Sequence, residues 1–244
     1  MLSCSISELL GKRTAQCPRF KRCWKAYEML NSDNFVRSWA RSLVHFLDFA
    51  TRIPCFNKMA ANDKRSWFIN RFVPCTLVSM AFHSSVERRD GLLFGCSNVF
   101  PYRLHEEIDN KPEDLLCKLF NTISEQLFSF VVHPMLNLNF SEHHFALLKA
   151  CVLYSPGLHF FHIGDESRDA IIAESNIHRN ALMKLILNDI TSFDEKADIL
   201  FQINDMCSAI ERATRHFDNE IKCLHLMGVP IAQKRMIIEF HVRK

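Results

Sequence analysis

The sequence predicts an all-α fold, and three observations support this prediction. Glycine and proline are scarce, with six and eight residues in 244, whereas phenylalanine is abundant, with 21. Few turn-forming residues and many bulky apolar ones are typical of helices packed around large side chains. Apolar residues also recur at three- and four-residue steps through most of the chain, which is the spacing of helices with one buried face. With 48% apolar residues, the chain is long enough to bury one large core.

The first two helices are predicted from this spacing and from proline. Apolar residues from Val36 to Ile53 form one stripe, and Pro54 stops that helix. A second helix is predicted over 63–83, where Pro74 removes one backbone hydrogen bond and predicts a kink or a break.

The rest of the chain continues the helical pattern after one interruption. The segment GLLFGCSNVF, with its two glycines at 91 and 95, predicts a short hairpin or an irregular ribbon. Gly228-Val229-Pro230 stops the last long helix, and IAQKRMIIEFHVRK forms a short amphipathic segment after it. The helices between the hairpin and this stop are predicted over 115–132, 140–154, 167–187 and 200–224.

Charge and hydropathy exclude two classes of partner. The net charge is +3, from 30 basic and 27 acidic residues, which is too balanced for binding to nucleic acid or membrane by charge alone. No apolar run reaches the roughly 18 residues that cross a bilayer, and the amino terminus lacks the pattern of a secretory signal. We therefore expect a soluble, intracellular protein without a membrane contact.

Cysteine and histidine patterns give no support for a metal or an active site. The ten cysteines are scattered without a CxxC pair, which indicates reduced and mostly buried thiols. Twelve histidines include no HExxH, and GxSxG and phosphate-binding glycine loops are missing too. We predict no catalytic residues, no metal, no cofactor and no enzymatic activity.

The long apolar stripe between 200 and 224 has two interpretations. Either it is a dimer seam, or it is the face that an ordinary helix turns toward the core. The first interpretation predicts a dimer interface formed by Ile203, Ile210, Phe217 and Ile221.

Two segments resemble parts of the ligand-binding domain of nuclear receptors, and the end of the chain fits the same family. FATRIPCFNKMAANDKRSWF, residues 49–68, is similar to the family signature of an aromatic-Ala-Lys step, an apolar-Pro-Gly-Phe turn and an Asp-Gln-x-x-Leu-Leu run. NFSEHHFALLKACVLYSPG, residues 139–157, is similar to the Ala-Leu-Leu-Lys-Ala helix and the proline stop after it. MIIEFH fits the activation helix near the end of the chain, and Asp63-Lys64 with HLMGVP looks like the divergent receptors of nematodes.

The resemblance divides the chain into a basic lead, residues 1–30, and the domain itself, residues 31–244. Arg19 to Cys23, with Met29 beyond them, resemble the tail of the family's zinc-finger domain, although Pro18 displaces the last ligand position. Three interpretations stay open: a relic of a lost finger, a chance match within a basic lead helix, or a working metal or DNA contact. Without a recognition helix we expect no independent DNA binding.

The resemblance implies a three-layer helical sandwich of about ten to twelve helices with a short hairpin, enclosing an apolar cavity for a small lipophilic ligand. If side chains fill that cavity, no ligand is needed, and each lining residue is then plain core. The residues predicted to line it are Trp39, Leu43, Phe46, Leu47, Phe72, Cys75, Leu77, Leu224 and Met227.

The resemblance also implies a groove for coregulators that carry an LxxLL helix. In the family a lysine and a glutamate bind the two ends of that helix. Glu239 matches the glutamate, Thr51 stands where the lysine is expected, and Arg52 or Lys64 is the predicted substitute. The alternative is that Glu239 is a solvated charge.

The implied function is regulation of transcription in the nucleus, by sensing an apolar ligand and recruiting coregulators through the last helix. The alternative is a ligand-independent interaction module that forms homodimers or dimerises with full-length nuclear receptors. A third possibility, an all-α lipid carrier, would bind apolar molecules without needing a docked last helix.

Overall fold

A computed structural model describes residues 23–242 except 89, 102–111, 157–159, 161 and 189, and residues 112–117 only in their backbone. Two π turns, Phe128–Val132 and Ile238–Val242, and a 3-10 turn, Pro230–Gln233, join or extend the helices. The strands are β1 (Cys23–Met29), β2 (Gly91–Phe94) and β3 (Cys96–Pro101). The helices are α1 (Ser32–Ala50), α2 (Pro54–Lys58), α3 (Ala61–Glu87), α4 (Pro112–Leu127), α5 (His133–Asn137), α6 (Glu142–Leu153), α7 (Asp165–Leu187), α8 (Phe193–Leu226) and α9 (Arg235–Ile237).

The predicted helical sandwich with a short hairpin is confirmed. The described residues form eight helices when the continuous run of α4, π turn and α5 is counted as one, which is fewer than the ten to twelve predicted. α3 lies in the middle and contacts α1, α6 and α8, while α7 packs on α6 and α4 on α8. None of the helices in the described ranges combines the length and the apolarity that crossing a bilayer requires.

α1 begins and ends at residues that the local sequence specifies. The Asn31 side chain accepts from the backbone N–H groups of Asp33 and Asn34, and the Asn34 side chain accepts from the Asn31 N–H, which forms a capping box. α1 ends at Ala50, and Pro54 then occupies the first turn of α2, where a missing N–H costs little.

α3 is the most deeply buried element. Every residue from Trp67 to Phe82 is buried, as expected for a helix that is surrounded by other helices. α3 continues through Pro74, so the predicted break into two helices does not occur. Packing on both sides of Pro74 outweighs the single backbone hydrogen bond that proline removes.

The hairpin is part of a three-stranded sheet of order β1-β3-β2. β2 and β3 pair antiparallel as predicted, and Gly91 is required there because an added Cβ would lie 2.6 Å from the Phe100 carbonyl oxygen. β1 pairs parallel with β3, so the part of the basic lead from Cys23 to Met29 forms a strand and not a helix. The cysteine and basic residues at 17–22 lie outside the described residues.

Gly228 ends α8 and redirects the chain toward the core. Gly228 has φ of 75°, its N–H donates to the His225 carbonyl, and the Val229 N–H donates to the Leu224 carbonyl. This is the Schellman arrangement, in which a left-handed glycine satisfies the last carbonyl groups of a helix. The Gln233 side chain also donates to the His225 carbonyl at 2.7 Å, which holds the following 3-10 turn against the end of α8.

A buried ion pair joins the three central helices. Arg71 of α3 is 3% exposed, and its guanidinium pairs with the Glu211 carboxylate of α8. The Arg71 Nε donates to the Val152 carbonyl of α6 at 3.1 Å. A buried guanidinium needs both partners, because an unpaired charge in the interior is costly.

The two ends of this ion pair differ in burial, which predicts unequal effects of mutation. Glu211→Gln leaves the buried Arg71 charge without its carboxylate and should lower the free energy of unfolding by about 3 kcal/mol. Arg71→Met leaves a carboxylate that solvent already reaches, because the Glu211 side chain is 30% exposed, and should cost only about 1–2 kcal/mol. Chemical denaturation measures both values, and an equal or larger loss for Arg71→Met would contradict this assignment.

Candidate functional site

Three of the predicted pocket residues, Trp39, Phe46 and Phe72, lie in a closely packed aromatic cluster that also includes Phe217. The ring of Trp39 lies 5.1 Å from that of Phe72 and 4.9 Å from that of Phe217, and the rings of Phe46 and Phe72 lie 5.8 Å apart. At these distances the rings are in direct contact, and Trp39, Phe72 and Phe217 have no exposed surface. Among the residues that the structure describes, these rings therefore fill the space between one another.

The other predicted pocket residues differ in where the structure places them. Burial raises the pKa of the Cys75 thiol to about 12, which makes it a neutral packing group at physiological pH. Met227, at the end of α8, is 61% exposed, so it does not line the interior as predicted. Leu43, Cys75, Leu77 and Leu224 are buried, and Leu47 is partly buried against the core.

The segment from Arg235 to Val242, which we call the C-terminal helix, docks onto this cluster. Its Phe240 is 1% exposed, and its ring lies 4.9 Å from that of Phe72 and 6.1 Å from that of Phe68. Met236 and Ile237 are buried as well. The inner face of the C-terminal helix thus continues the aromatic core.

His241 joins the C-terminal helix to two other helices through buried hydrogen bonds. The Trp39 Nε1 of α1 donates to the His241 Nε2 at 3.2 Å, and the His241 Nδ1 lies 2.7 Å from the Asp218 Oδ1 of α8. Because an indole N–H can only donate, Nε2 must be the acceptor, so Nδ1 carries the proton and donates to the carboxylate. His241 has no exposed surface.

The sequence pattern does not identify this histidine as the residue that joins three helices. It follows the apolar positions of the C-terminal helix and stands out only as part of the MIIEFH pattern. The sequence gives one weak hint that Asp218 lies near the core, because this residue directly follows Phe217 on the apolar stripe of α8. Two polar residues 23 positions apart give no local sign that they share a hydrogen bond.

The predicted groove residues lie on three elements. The Glu239 carboxylate, with a side chain 15% exposed, accepts from the Arg235 Nε one turn earlier at 3.1 Å. Thr51 ends α1 with its hydroxyl donating to the Leu47 carbonyl, and Arg52 follows it on the surface. The Lys64 ammonium of α3 donates to the Asn57 carbonyl at 3.0 Å, which holds it against α2.

The predicted dimer seam is corrected by burial within the single chain. Ile210, Phe217 and Ile221 have no exposed surface, and Ile203 is 4% exposed. α8 packs against α3, α4 and the C-terminal helix, and these side chains are buried within the single chain, so they are not available to a second copy. The apolar stripe of α8 is therefore its core-facing side, which was the second interpretation of the pattern.

Metal ligands do not cluster in the described part of the chain. No group of three histidine, cysteine, aspartate or glutamate side chains comes together there in a way that could hold a metal ion. The described cysteines are free thiols.

The chain is similar to a known protein family over most of its length. The family described as the ligand-binding domain of nuclear hormone receptor matches residues 21–227. The matched range runs from just before β1 to the end of α8, and the C-terminal helix lies beyond it.

The hydrogen bonds of His241 predict that this side chain controls docking of the C-terminal helix. His241→Ala removes a buried ring and both hydrogen bonds, and should lower the free energy of unfolding by about 2–4 kcal/mol. Hydrogen exchange should also become faster in residues 235–242 than elsewhere. Ile238→Ala, on the partly exposed side of the same helix, is the control and should change exchange little. Unchanged exchange in His241→Ala would contradict the assignment.

Proposed function

The chain belongs to the family of nuclear hormone receptor ligand-binding domains, and from this we propose a regulator of transcription whose C-terminal helix is docked by its own core. In this state it recruits coregulators that carry an LxxLL helix, without requiring a bound ligand. The proposed site of action is the nucleus.

The observation that carries this proposal is the burial of Phe240 and His241. In an apolar-ligand sensor, the ligand supplies the differential contact that favours the docked helix. Here Phe72 and Phe68 contact Phe240, and Trp39 donates to His241. Contacts made by the protein itself thus supply what a ligand would supply.

Two charged side chains suit the two ends of a partner helix. Glu239 lies on the C-terminal helix, where its carboxylate would meet the positive amino end of an LxxLL helix. At the opposite end we propose Arg52, because Thr51 is uncharged and the Lys64 ammonium already binds the Asn57 carbonyl. Arg52 is exposed directly after α1, at the position next to the one where the family carries its lysine.

Binding of an LxxLL peptide to the protein tests this proposal. Protein stripped of lipids by organic extraction should bind an LxxLL peptide, and Glu239→Ala should weaken binding about fivefold, because one helix-end interaction is lost. Arg235→Ala is the matched control, since it breaks the same ion pair but keeps the Glu239 charge. It should bind the peptide as well as the parent protein.

Fluorescence anisotropy of a labelled peptide measures these affinities. Binding that disappears on extraction and returns with an added lipid would contradict the proposal and favour a ligand sensor. Equal binding by Glu239→Ala and the parent would show that Glu239 does not take part in peptide binding.

Dimerisation with another receptor is a second candidate function, and exposed apolar side chains favour it. Phe193 and Phe201 of α8 are 82% and 70% exposed, and Ile177 of the neighbouring α7 is 61% exposed. Exposed apolar side chains that form one patch often mark contacts between proteins, and we propose that these three residues belong to such a patch.

Phe201→Ser should weaken self-association or association with a receptor partner by about tenfold, since a large exposed ring is lost from the proposed interface. Val86→Ser is the control, because Val86 is an exposed apolar residue at the far end of α3. Sedimentation equilibrium measures the association of both variants. A chain that stays monomeric at every concentration, alone and with a partner receptor domain, would contradict this function.

A further inference from the structure

A separate cleft opens between α6, α7 and α8, away from the aromatic cluster. Its volume is about 200 Å³. It shares no residue with the predicted ligand pocket, and from the predicted dimer seam it includes only Ile203. Its lining is Cys151, Val152, Ser155, Arg179, Leu182, Met183, Leu200, Ile203, Asn204, Cys207 and Glu211.

The cleft has an apolar floor and a polar rim. Val152, Leu182 and Ile203 are between 1% and 4% exposed and form the deep part. Arg179 and Asn204 are exposed and lie where the cleft meets solvent. An amphipathic molecule would place its apolar part against the floor and its polar end at the rim, which is the usual arrangement of small-molecule sites.

The charges around the cleft favour an anionic end group. Glu211 forms one wall, but its carboxylate is already paired with the buried Arg71. Arg179 has no ion pair among the residues that the structure describes. Arg71, Glu211 and Arg179 together leave one unbalanced positive charge, and it lies at the rim.

The two thiols in the wall are neutral packing groups. Burial raises the pKa of Cys151 to about 12 and that of Cys207 to about 11, and the nearby Arg179 charge opposes both shifts only in part. Both thiols are therefore protonated at pH 7 and add no negative charge that would repel an anion.

We propose that this cleft binds a small amphipathic monocarboxylate, with its carboxylate on the Arg179 guanidinium and its hydrocarbon chain on Val152, Leu182 and Ile203. A guanidinium can bind a carboxylate through two parallel hydrogen bonds, which a neutral head group cannot reproduce. A methylene fills about the volume of a water molecule, about 30 Å³, so the cleft accommodates a chain of about seven carbons. Octanoate is a probe of this size.

Titration of the full chain with octanoate, followed by methyl NMR, tests the proposal. Octanoate should bind in the millimolar range and shift the methyl signals of Leu182, Met183 and Ile203. Acetate has the head group without the chain, and octanol has the chain without the charge. Acetate should leave these signals unchanged, whereas octanol should bind more weakly than octanoate.

Three variants separate this cleft from other sites. Arg179→Gln should weaken octanoate binding about tenfold and leave octanol binding unchanged, because only the charged contact is lost. Arg215→Gln removes an exposed charge of α8 outside the cleft and should have no effect. Asn204→Trp places a large ring at the rim and should abolish binding of both ligands, while the melting temperature confirms that the variant folds.

The proposal is overturned if octanoate shifts none of the three methyl signals, or if Arg179→Gln binds octanoate as tightly as Arg215→Gln. Octanoate binding that persists in Asn204→Trp would place the ligand elsewhere and overturn it as well. Because the readout is binding at these methyl groups, the result does not depend on coregulator recruitment.

Discussion

One buried imidazole determines how the C-terminal helix is joined to the domain. His241 accepts a hydrogen bond from Trp39 of α1 and donates one to Asp218 of α8, so three helices meet at a single ring. Polar groups in an apolar interior must find partners, and each ring nitrogen has one here. Since an indole only donates and a carboxylate accepts, one ring orientation satisfies both contacts. That orientation defines where the C-terminal helix lies.

The C-terminal helix is too short to be stable by itself. It covers eight residues, from Arg235 to Val242, and isolated helices below about 12–15 residues are marginal in water. Its stability must therefore come from packing, above all from Phe240 against Phe68 and Phe72. Folding of this segment and its docking onto the core are one event. Under the proposed function, the same event forms the surface that a coregulator recognises.

α8 contributes residues both to this docking site and to the cleft. Its C-terminal half supplies Phe217 and Asp218 to the aromatic core, and its N-terminal half supplies Ile203 and Cys207 to the cleft. Glu211 lies between the two and holds α8 to α3 through Arg71. The ion pair between Arg71 and Glu211 contributes to both regions. It positions α8 in the core, and its Glu211 forms a wall of the cleft.

The sequence by itself determined the elements of this protein. Helical spacing, the few glycines and prolines, Pro54 and Gly228 predicted the all-α class and most helix ends, because these signals act through the local backbone. Two family-like segments predicted the sandwich. The short hairpin was also predictable, since its two strands are adjacent in the chain.

Only the tertiary structure decided what each apolar face packs against. Periodicity shows that α8 has an apolar face, but it does not show whether the core or a second chain covers that face. Local patterns also did not show that Met227 would be exposed or that α3 would continue through Pro74. Both depend on packing against the rest of the chain. The pairing of β1 with β3 and the contact of His241 with Trp39 join residues more than 60 positions apart. Such contacts depend on how the whole chain packs, and local sequence patterns do not specify them.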